Sequence, residues 1–218
     1  MVTTLYLIRH GATEGSETKR YKGSIDVPMS EKGIEQIKGT SVFIQNMIQD
    51  KKNHESCILH SASSKLSAVY CSPLSRALKS AEIIAEPYDL KPIAIEDLRE
   101  RSFGIWEGMT FTEIKENYPQ EFEAWAGNPL TYSPVDGEST VEVRERTVKA
   151  VDSLLSNHNS EHIAIVAHGG VNRIILCHIM GIPLENIFRI EQDFAAVNII
   201  EFWEKYPVVK LLNGAACG

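Results

Sequence analysis

The sequence predicts an α/β protein built as a three-layer sandwich, with a central, mostly parallel sheet, helices on both faces and an antiparallel edge strand. Short apolar runs alternate with segments of helical periodicity, which is typical of strands that helices cover on both faces. Two β-rich runs near the C-terminus are separated by a short polar segment, as in an antiparallel hairpin. The 218 residues, 43% hydrophobic and 23% charged, have the composition of an ordinary globular protein.

Buried strands are predicted wherever an apolar run is bounded by polar residues or glycine. The strands predicted for the parallel part of the sheet are Leu5–Ile8, Ala68–Cys71, Ile93–Ile95 and Ile163–Ala167. The hairpin strands are Ala196–Trp203 and Val208–Leu212. Because hairpin strands run antiparallel, this pair is expected at one edge of the otherwise parallel sheet.

Three helices are predicted from apolar periodicity and from residues that favour helix starts. Apolar residues recur at spacings of three and four over Pro73–Glu86, with Ser72 as the expected N-cap and a proline at the first helical position. A second helix is expected after Ser139, which begins a capping-box sequence. A third is expected to begin at Ser30 and to run towards Ile48, and residues 49–67 are polar enough for a loop or a frayed helix end.

The length favours a single domain over residues 1–218, with an insertion at about 104–137. No run approaches the roughly 18 apolar residues that a membrane span needs, and the first residues do not resemble a signal peptide. We therefore expect a cytoplasmic protein without a membrane partner. Its four cysteines lie at wide spacings and are expected to be reduced thiols; they are Cys57, Cys71, Cys177 and Cys217. The net charge of −7 argues against nucleic-acid binding.

Two histidines and two arginines are expected at one edge of the predicted sheet. Arg9 and His10 end the first predicted strand, His168 follows Ile163–Ala167, and Arg76 lies in the first turn of the helix after another strand. In open α/β sheets, ligands bind outside the carboxyl ends of the strands. The sequence therefore predicts a ligand site built from these four side chains.

The chemistry of these side chains points to a phosphoryl group. Guanidinium groups such as those of Arg9 and Arg76 pair with phosphate oxygens in a bidentate manner. A histidine ring nitrogen can attack phosphorus and form a covalent intermediate, which divides one difficult displacement into two easier steps. Departure of an alkoxide then needs a general acid, and Glu100, just beyond the run Ile93–Ile95, is the candidate.

Five groups of residues stand in an order that resembles the motifs of a known family. They are Arg9-His10-Gly11-Ala12-Thr13-Glu14, Tyr21-Lys22-Gly23 with Asp26, Pro28 and Ser30, Ser72-Pro73-Leu74-Ser75-Arg76-Ala77, Leu98-Arg99-Glu100 with Phe103-Gly104 and Trp106-Glu107-Gly108, and Ala167-His168-Gly169-Gly170. Over nearly the whole chain they are similar to the motifs of the histidine phosphatase superfamily, the phosphoglycerate-mutase-like proteins. The two runs near the C-terminus resemble those of bacterial members called α-ribazole phosphatases, and some phosphoserine phosphatases are similar too.

The resemblance implies phosphomonoester hydrolysis through a phosphohistidine, without a metal ion or another cofactor. On this interpretation His10 is the nucleophile, Arg9 and Arg76 bind the transferring phosphoryl group, and His168 donates a further hydrogen bond to it. Glu100 is then the proton donor and, later, the base that activates water. Activity is expected to survive EDTA and to fall as the pH rises above the range in which Glu100 holds its proton.

The resemblance also implies substrate contacts from further residues near these motifs. They are Thr13, Ser16, Lys22, Gly23 and Gly169. At positions 15 and 16 the family often has Trp-Asn, whereas this chain has Gly15-Ser16, so that only a hydroxyl is offered there. The expected partner is a small-molecule phosphate ester. Pairing of the β-rich C-terminal edge in a homodimer is left open.

Two other functions stay open beside the phosphatase. A cofactor-dependent phosphoglycerate mutase would use the same residues, but mutases of this superfamily typically carry a longer, basic insertion. Here residues 108–137 are short and acidic, with Glu113, Glu116, Glu121 and Glu123 against Lys115 alone. This composition favours a phosphatase. An inactive phosphate-binding module is the third alternative, disfavoured because all the predicted catalytic residues are present.

Other residues that could carry chemistry are assigned structural roles. Histidines expected at surface or packing positions are His54, His60, His158, His162 and His178, and no pair of ligands shows a metal-site spacing. Trp106 and Trp125 are interpreted as packing anchors rather than as the lining of a pocket. Arg144 and Arg146 are expected to be solvated.

Overall fold

The computed structural model describes residues 2–54 and 65–215. The strands are β1 (Thr3–Arg9), β2 (Leu66–Cys71), β3 (Ile93–Ala94), β4 (His162–Ala167), β5 (Val197–Phe202) and β6 (Pro207–Gly214). The α-helices are α1 (Glu31–His54), α2 (Ser75–Ala85), α3 (Phe111–Asn117), α4 (Pro119–Gly127), α5 (Thr140–Ser156) and α6 (Gly169–Met180). The segment predicted as a loop or frayed helix end is helical as far as His54; Cys57, His60 and Cys217 lie outside the described residues.

The six strands form one sheet in the order β3-β2-β4-β1-β5-β6. The first four strands in this order are parallel to one another, whereas β5 pairs antiparallel with β1 and β6 pairs antiparallel with β5. The predicted mostly parallel sheet with a C-terminal hairpin is therefore confirmed. Within it, the antiparallel strand β5 lies one position in from the edge, because its hairpin partner β6 covers it.

The core lies on both faces of the sheet, because successive side chains of a strand point to opposite sides. On β1, Leu5 and Leu7 pack with apolar residues of α5 and α6, whereas Tyr6 and Ile8 pack with apolar residues of α1 and α2. All four side chains are fully buried. The predicted three-layer sandwich is thus confirmed.

Two of the three helix starts predicted from capping residues are confirmed. Ser139 Oγ accepts the amide N–H of Glu142 (3.1 Å), and Glu142 Oε2 accepts that of Ser139 (2.7 Å), which completes a capping box before α5. Ser30 Oγ accepts the amide N–H of Gly33 (3.2 Å) at the start of α1. Each bond satisfies one of the backbone donors that a helix start leaves unpaired.

The predicted start of α2 is wrong by two residues. The helix begins at Ser75, and Leu74 before it is still extended, with ψ 136°. Leu74 therefore occupies the N-cap position, and Ser72 lies two residues too early to be the N-cap. Asp26, from a distant loop, supplies the capping acceptor instead: its Oδ1 accepts the amide N–H (2.8 Å) and the hydroxyl (2.7 Å) of Ser75.

The predicted insertion at 104–137 contains α3 and α4, which are held together by aromatic side chains. Trp106 is 4% exposed, stacks on Tyr132 (ring centroids 5.7 Å apart) and meets Trp125 edge to face (6.4 Å). Phe122 lies 5.5 Å from Trp125 in the same cluster. The prediction of Trp106 as a packing anchor is confirmed, but the expectation that neither tryptophan lines a pocket is wrong, because Trp106 and Trp125 both line a cavity.

The start of α1 presses directly on the loop after β1, at a place where only glycine fits. A Cβ at Gly33 would overlap the carbonyl oxygen of Ala12 and lie 2.7 Å from its amide nitrogen. We expect Gly33→Ala to lower the free energy of unfolding by about 1–3 kcal/mol, the usual cost of overpacking. Urea unfolding measures this, with Gly127→Ala as the control, since no atom lies within 4 Å of a Cβ there. Equal stability of the Gly33 variant and the wild type would contradict the prediction.

Candidate active site

The carboxyl ends of three neighbouring strands bring predicted catalytic residues to one edge of the sheet. His10 directly follows β1, His168 directly follows β4, and Arg76 is the second residue of α2, after β2. The ring centroids of His10 and His168 lie 5.0 Å apart in an edge-to-face arrangement. All three residues are buried, with no more than 5% of their surface exposed. The structure therefore brings these residues together as the sequence predicts.

His10 is held in one tautomer. Its Nδ1 lies 2.7 Å from the carbonyl oxygen of Gly11, which can only accept, so Nδ1 carries the proton and Nε2 keeps its lone pair. Burial lowers the pKa of His10 well below its usual value, and the nearby charges of Arg9 and Arg76 lower it further. His10 is therefore a neutral imidazole with a free nucleophilic nitrogen.

His168 is arranged as a donor. The Ser72 hydroxyl accepts the amide N–H of Leu74 (3.3 Å) and lies 2.8 Å from His168 Nε2, so its own proton is available to that nitrogen. We infer that the hydroxyl donates to Nε2 and that the imidazole proton is on Nδ1, which is buried and has no partner among the described residues. Burial, and next the neighbouring His10, lower the pKa of His168 well below its usual value.

Arg9 lies half-buried beside His10, and part of its guanidinium has no partner in residues 2–54 and 65–215. Its Nη1 donates to the carbonyl oxygen of Gln192 (2.6 Å), and its Cζ lies 3.8 Å from the ring centre of Phe194. Its Nε, in contrast, has no acceptor within the part of the chain that the structure describes. Burial lowers the pKa of Arg9 to about 10, so the side chain is still charged at neutral pH.

Arg76 is fixed from the opposite side by the loop after residue 22. Nη2 donates to the carbonyl oxygen of Gly23 (2.7 Å) and Nη1 to that of Ile25 (2.8 Å). Burial lowers its pKa, and the nearby carboxylates of Glu100 and Asp26 partly offset that effect. Neutral carbonyl oxygens leave the positive charge of Arg76 uncompensated at short range, which favours an anion at the site.

Glu100 lies at the N-terminus of α6, next to both arginines. Its Oε2 accepts the amide N–H of Gly170 (3.1 Å), and its Oε1 accepts that of Arg101 (3.0 Å). A Cβ at Gly170 would lie 2.6 Å from Oε1, so a larger residue there would displace the Glu100 carboxylate. The charge of Glu100 raises the pKa of Arg9 and of Arg76, as expected of a carboxylate near both guanidinium groups.

The residues predicted to bind substrate differ in how closely they approach His10 and the two arginines. Lys22 Nζ donates to Thr13 Oγ1 (2.8 Å) and to a neighbouring carbonyl, and the charge of Lys22 acts on His10. Gly169 begins α6, and a Cβ there would lie 3.4 Å from the guanidinium of Arg9. The backbone of Gly23 holds Arg76 through its carbonyl oxygen. Ser16 lies half-buried in a single turn of 3₁₀-helix, away from these contacts.

Arg146 corrects one expectation from the sequence. It is not solvated: its side chain is 19% exposed and pairs with Glu138 (2.8 Å). Its Nη1 also donates to the carbonyl oxygens of Asp97 (2.7 Å) and Arg99 (2.9 Å). Arg146 therefore holds the backbone that carries Glu100, whereas Arg144 is exposed, as predicted.

Sequence reasoning missed two residues that shape the site. Phe194 packs over Arg9, and its ring centre lies 5.7 Å from that of His10. It precedes β5 in an irregular segment, and no sequence pattern signals it. Ser72 belongs to a recognised motif, but its hydroxyl serves His168 rather than the next helix.

The neutral histidines predict how stability depends on pH. Because burial lowers the pKa of His10 and His168 in the folded state, only the unfolded chain takes up these protons as the pH falls below about 6.5. Each histidine then lowers the free energy of unfolding by up to about 1.4 kcal/mol per pH unit. Stability above that pH is unaffected by these two groups.

Urea unfolding at about pH 7.5 and at about pH 5.5 measures this dependence. We expect a double variant, His10→Gln with His168→Gln, to lose less stability between the two conditions than the wild type. His178→Gln, at an exposed position of α6, is the control. The same loss in the wild type and the double variant would show that the two imidazoles are not held neutral.

Over the described residues, 2–54 and 65–215, no helix is long and apolar enough to cross a membrane. Within the same residues there is no group of three or more His, Cys, Asp or Glu side chains that could hold a metal ion. Cys71 and Cys177 are buried free thiols.

Sequence comparison finds relatives over nearly the whole chain. A sequence profile of the histidine phosphatase superfamily (branch 1) matches residues 5–215. Phosphoserine phosphatase 1 of Hydrogenobacter thermophilus is 28% identical over 209 residues, which cover 96% of this chain and 91% of that protein. The adenosylcobalamin/alpha-ribazole phosphatase of Escherichia coli is 27% identical over 214 residues, covering 98% and 97%.

Solved structures share the fold. A putative alpha-ribazole-5'-P phosphatase from Escherichia coli superimposes with a TM-score of 0.83 at 24% identity, covering 99% of this chain and 98% of that one. Bacillus stearothermophilus YhfR has a TM-score of 0.79 at 30% identity, with the same coverage. The predicted enzyme class, phosphoric monoester hydrolase, is confirmed, because these relatives are named as phosphatases. With a profile match that spans all the predicted motifs, the chain belongs to the histidine phosphatase superfamily.

Proposed function

We propose that this chain hydrolyses phosphate monoesters through a covalent phosphohistidine on His10, without a metal ion. One observation carries the proposal: two buried donors, Arg9 Nε and His168 Nδ1, have no partner among the described residues and flank a neutral His10. A buried donor without an acceptor costs about 1–3 kcal/mol, so a site that keeps two of them is organised for an absent acceptor. A phosphoryl group supplies such acceptors.

In the first step, the lone pair of His10 Nε2 attacks phosphorus, and the bond between phosphorus and the ester oxygen breaks. In this proposal Glu100 carries a proton in the substrate complex, where the anionic phosphoryl group lies beside it. That proton passes to the ester oxygen, so that the leaving group departs as a neutral alcohol. Arg9, Arg76 and His168 hold the three remaining phosphoryl oxygens and stabilise the charge that they carry in the transition state.

In the second step, water replaces the alcohol. The Glu100 carboxylate takes one proton from the water, whose oxygen attacks phosphorus. The bond between phosphorus and His10 Nε2 breaks, and its electron pair returns to the ring. Phosphate leaves, and His10 is neutral again with its Nδ1 proton still directed at Gly11. Each residue thus returns to its starting state, with one water consumed.

A phosphoglycerate mutase would share the first step and differ in what accepts the phosphoryl group. A mutase has to keep the phosphohistidine until the product is rephosphorylated. The acidic helices α3 and α4 offer no basic cluster to retain a second phosphate, which supports water as the acceptor. Isomerisation that requires a bisphosphate primer, with negligible release of phosphate, would favour the mutase instead.

The test is to trap the intermediate. After rapid mixing with ³²P-labelled 4-nitrophenyl phosphate and denaturation in base, we expect label on the protein that is stable in base and lost in acid, as for a phosphoramidate. The His10→Ala variant is expected to take up none. Turnover is expected to continue in EDTA. Strict dependence on magnesium, or labelling of the His10 variant, would contradict the proposal, and phosphate binding without turnover of any ester would indicate an inactive module.

The relatives act on different leaving groups. One is named as a phosphoserine phosphatase and another as an adenosylcobalamin/alpha-ribazole phosphatase, and both match this chain over almost its full length. Because the sequence identity to the two relatives is similar, it does not indicate whether this chain acts on esters with a small polar or a large leaving group. The choice depends on the surface next to Glu100.

A further inference from the structure

A cavity of about 470 Å³ opens beside the proposed proton donor. Gly170, whose amide N–H is bonded to Glu100, and Arg101, the next residue after Glu100, both line it. Because Glu100 protonates the leaving oxygen in the proposed mechanism, this cavity lies where the rest of the leaving group has to go. Its volume is in the range of pockets that hold small organic ligands.

The walls of the cavity are mainly apolar, and aromatic rings form a large part of them. Five aromatic side chains of the lining come from the segment between residues 103 and 125; they are Phe103, Trp106, Phe111, Phe122 and Trp125. Phe111 and Phe122 meet edge to face with ring centres 5.0 Å apart, and Phe111 and Trp125 do so at 6.2 Å. Phe111 is nevertheless 49% exposed. Several exposed or half-buried aromatic faces around one opening are typical of a binding surface for an apolar group.

The cations that line the cavity already have partners. Arg101 donates to the carbonyl oxygens of Glu138 (2.6 Å) and Tyr132 (3.2 Å) and to Thr140 Oγ1 (3.0 Å). Arg173 donates to the carbonyl oxygen of Ile190 (2.7 Å) and lies 3.7 Å from a carboxylate oxygen of Glu191. The carboxylates of Glu100 and Glu138 also act on the charge of Arg101, as Glu191 does on that of Arg173. A substrate carboxylate, such as that of phosphoserine, therefore gains less from these two arginines than it would from unpaired cations.

We propose that this cavity binds a large apolar leaving group, preferably a flat aromatic one. The preferred substrates are then phosphate monoesters of aromatic or bulky apolar alcohols rather than of small charged ones. The inference rests on the proposed function, and it adds the substrate class. Trp125 and Phe111 are specificity residues on this assignment, because they contact the leaving group and not the phosphoryl group.

Two alkyl esters whose alcohols leave equally well test the proposal. 2-Phenylethyl phosphate and ethyl phosphate release alcohols of similar acidity, so a difference in kcat/KM reports on binding of the phenyl ring. Burial of a phenyl ring predicts a preference of at least about tenfold for the phenylethyl ester. Phosphoserine is expected to react no faster than the ethyl ester. Equal rates for the two alkyl esters, or a preference for phosphoserine, would overturn the inference while leaving the proposed hydrolysis intact.

Variants of the cavity wall locate the preference. Trp125→Ala and Phe111→Ala are each expected to lower the ratio of kcat/KM between the phenylethyl and the ethyl ester at least about threefold, since each removes part of the apolar surface. Trp203→Ala is the control, since Trp203 is a tryptophan with 52% exposure beyond β5, outside the cavity. Phe111 is half-exposed, so its variant tests the inference even if loss of Trp125 disturbs folding. An unchanged ratio in the Phe111 variant would place the preference elsewhere and overturn the assignment.

Binding of phosphonates separates the two proposals, because it needs no turnover. Calorimetry with 2-phenylethylphosphonate and ethylphosphonate is expected to show at least about tenfold tighter binding of the aromatic compound. Tighter binding without any ester hydrolysis would support the cavity and contradict the proposed function. Equal affinities would overturn the cavity assignment whether or not esters are hydrolysed.

Discussion

Replacement of His10 by alanine is expected to lower kcat/KM for 4-nitrophenyl phosphate by about 10⁴-fold or more, as is typical when a nucleophile is removed. The reason lies in its position. His10 Nε2 is the free nitrogen of a neutral imidazole, and the guanidiniums of Arg9 and Arg76 stand beside it. No other described side chain combines a nucleophilic nitrogen with both arginines, except His168, whose Nε2 is engaged by Ser72.

The control for this prediction is His178→Ala, since His178 is an exposed histidine on α6 that pairs with Asp152 (3.2 Å). It is expected to keep wild-type activity. Urea unfolding of both variants separates a loss of chemistry from a loss of fold. If the His10 variant folds and retains a tenth of the activity or more, the phosphohistidine route is wrong. Activity that disappears in the His168 variant but survives in the His10 variant would make His168 the nucleophile.

Much of the fold could be predicted because the sequence patterns are local. The apolar run Leu5–Ile8 is buried on both faces, and the capping box at Ser139 needs only residues three positions apart. The site could be located for a similar reason: the carboxyl ends of parallel strands lie at one edge of the sheet, together with the residues next in the chain. His10, His168 and Arg76 come after three such strands, so their meeting is a consequence of topology.

The parts that could not be predicted depend on contacts between distant segments. Asp26 caps α2 from 49 residues away, and Arg146 reaches back across 49 residues to the carbonyl oxygen of Asp97. The local sequence around these two residues does not distinguish them from charged residues at the protein surface. Phe194 covers Arg9 from a segment 185 positions further on, which no periodicity indicates. The cavity likewise forms only when α3 and α4 pack together. The sequence could therefore predict that Trp125 packs against other residues, but not that it lines a cavity.

Glu100→Gln is the second substitution with a large expected effect, and its effect depends on the substrate. Glutamine keeps the shape of the side chain and can still accept the amide N–H of Gly170, but it cannot give a proton to the leaving oxygen. For an alkyl ester, whose alkoxide leaves poorly, we expect kcat/KM to fall by about 10²- to 10⁴-fold. For 4-nitrophenyl phosphate, whose phenolate leaves well without a proton, we expect kcat/KM to fall less than about tenfold.

The same substitution also slows the second step, which gives an independent signature. Without the carboxylate as a base, water attacks the phosphohistidine slowly, so kcat falls even for 4-nitrophenyl phosphate. Stopped-flow measurement should then show a burst of nitrophenolate close to one equivalent of enzyme, followed by slow turnover. Glu96→Gln, an exposed neighbour that pairs with Arg99, is the control and is expected to show neither change. Equal losses on both esters, without a burst, would mean that Glu100 organises the arginines through its charge and does not transfer the proton.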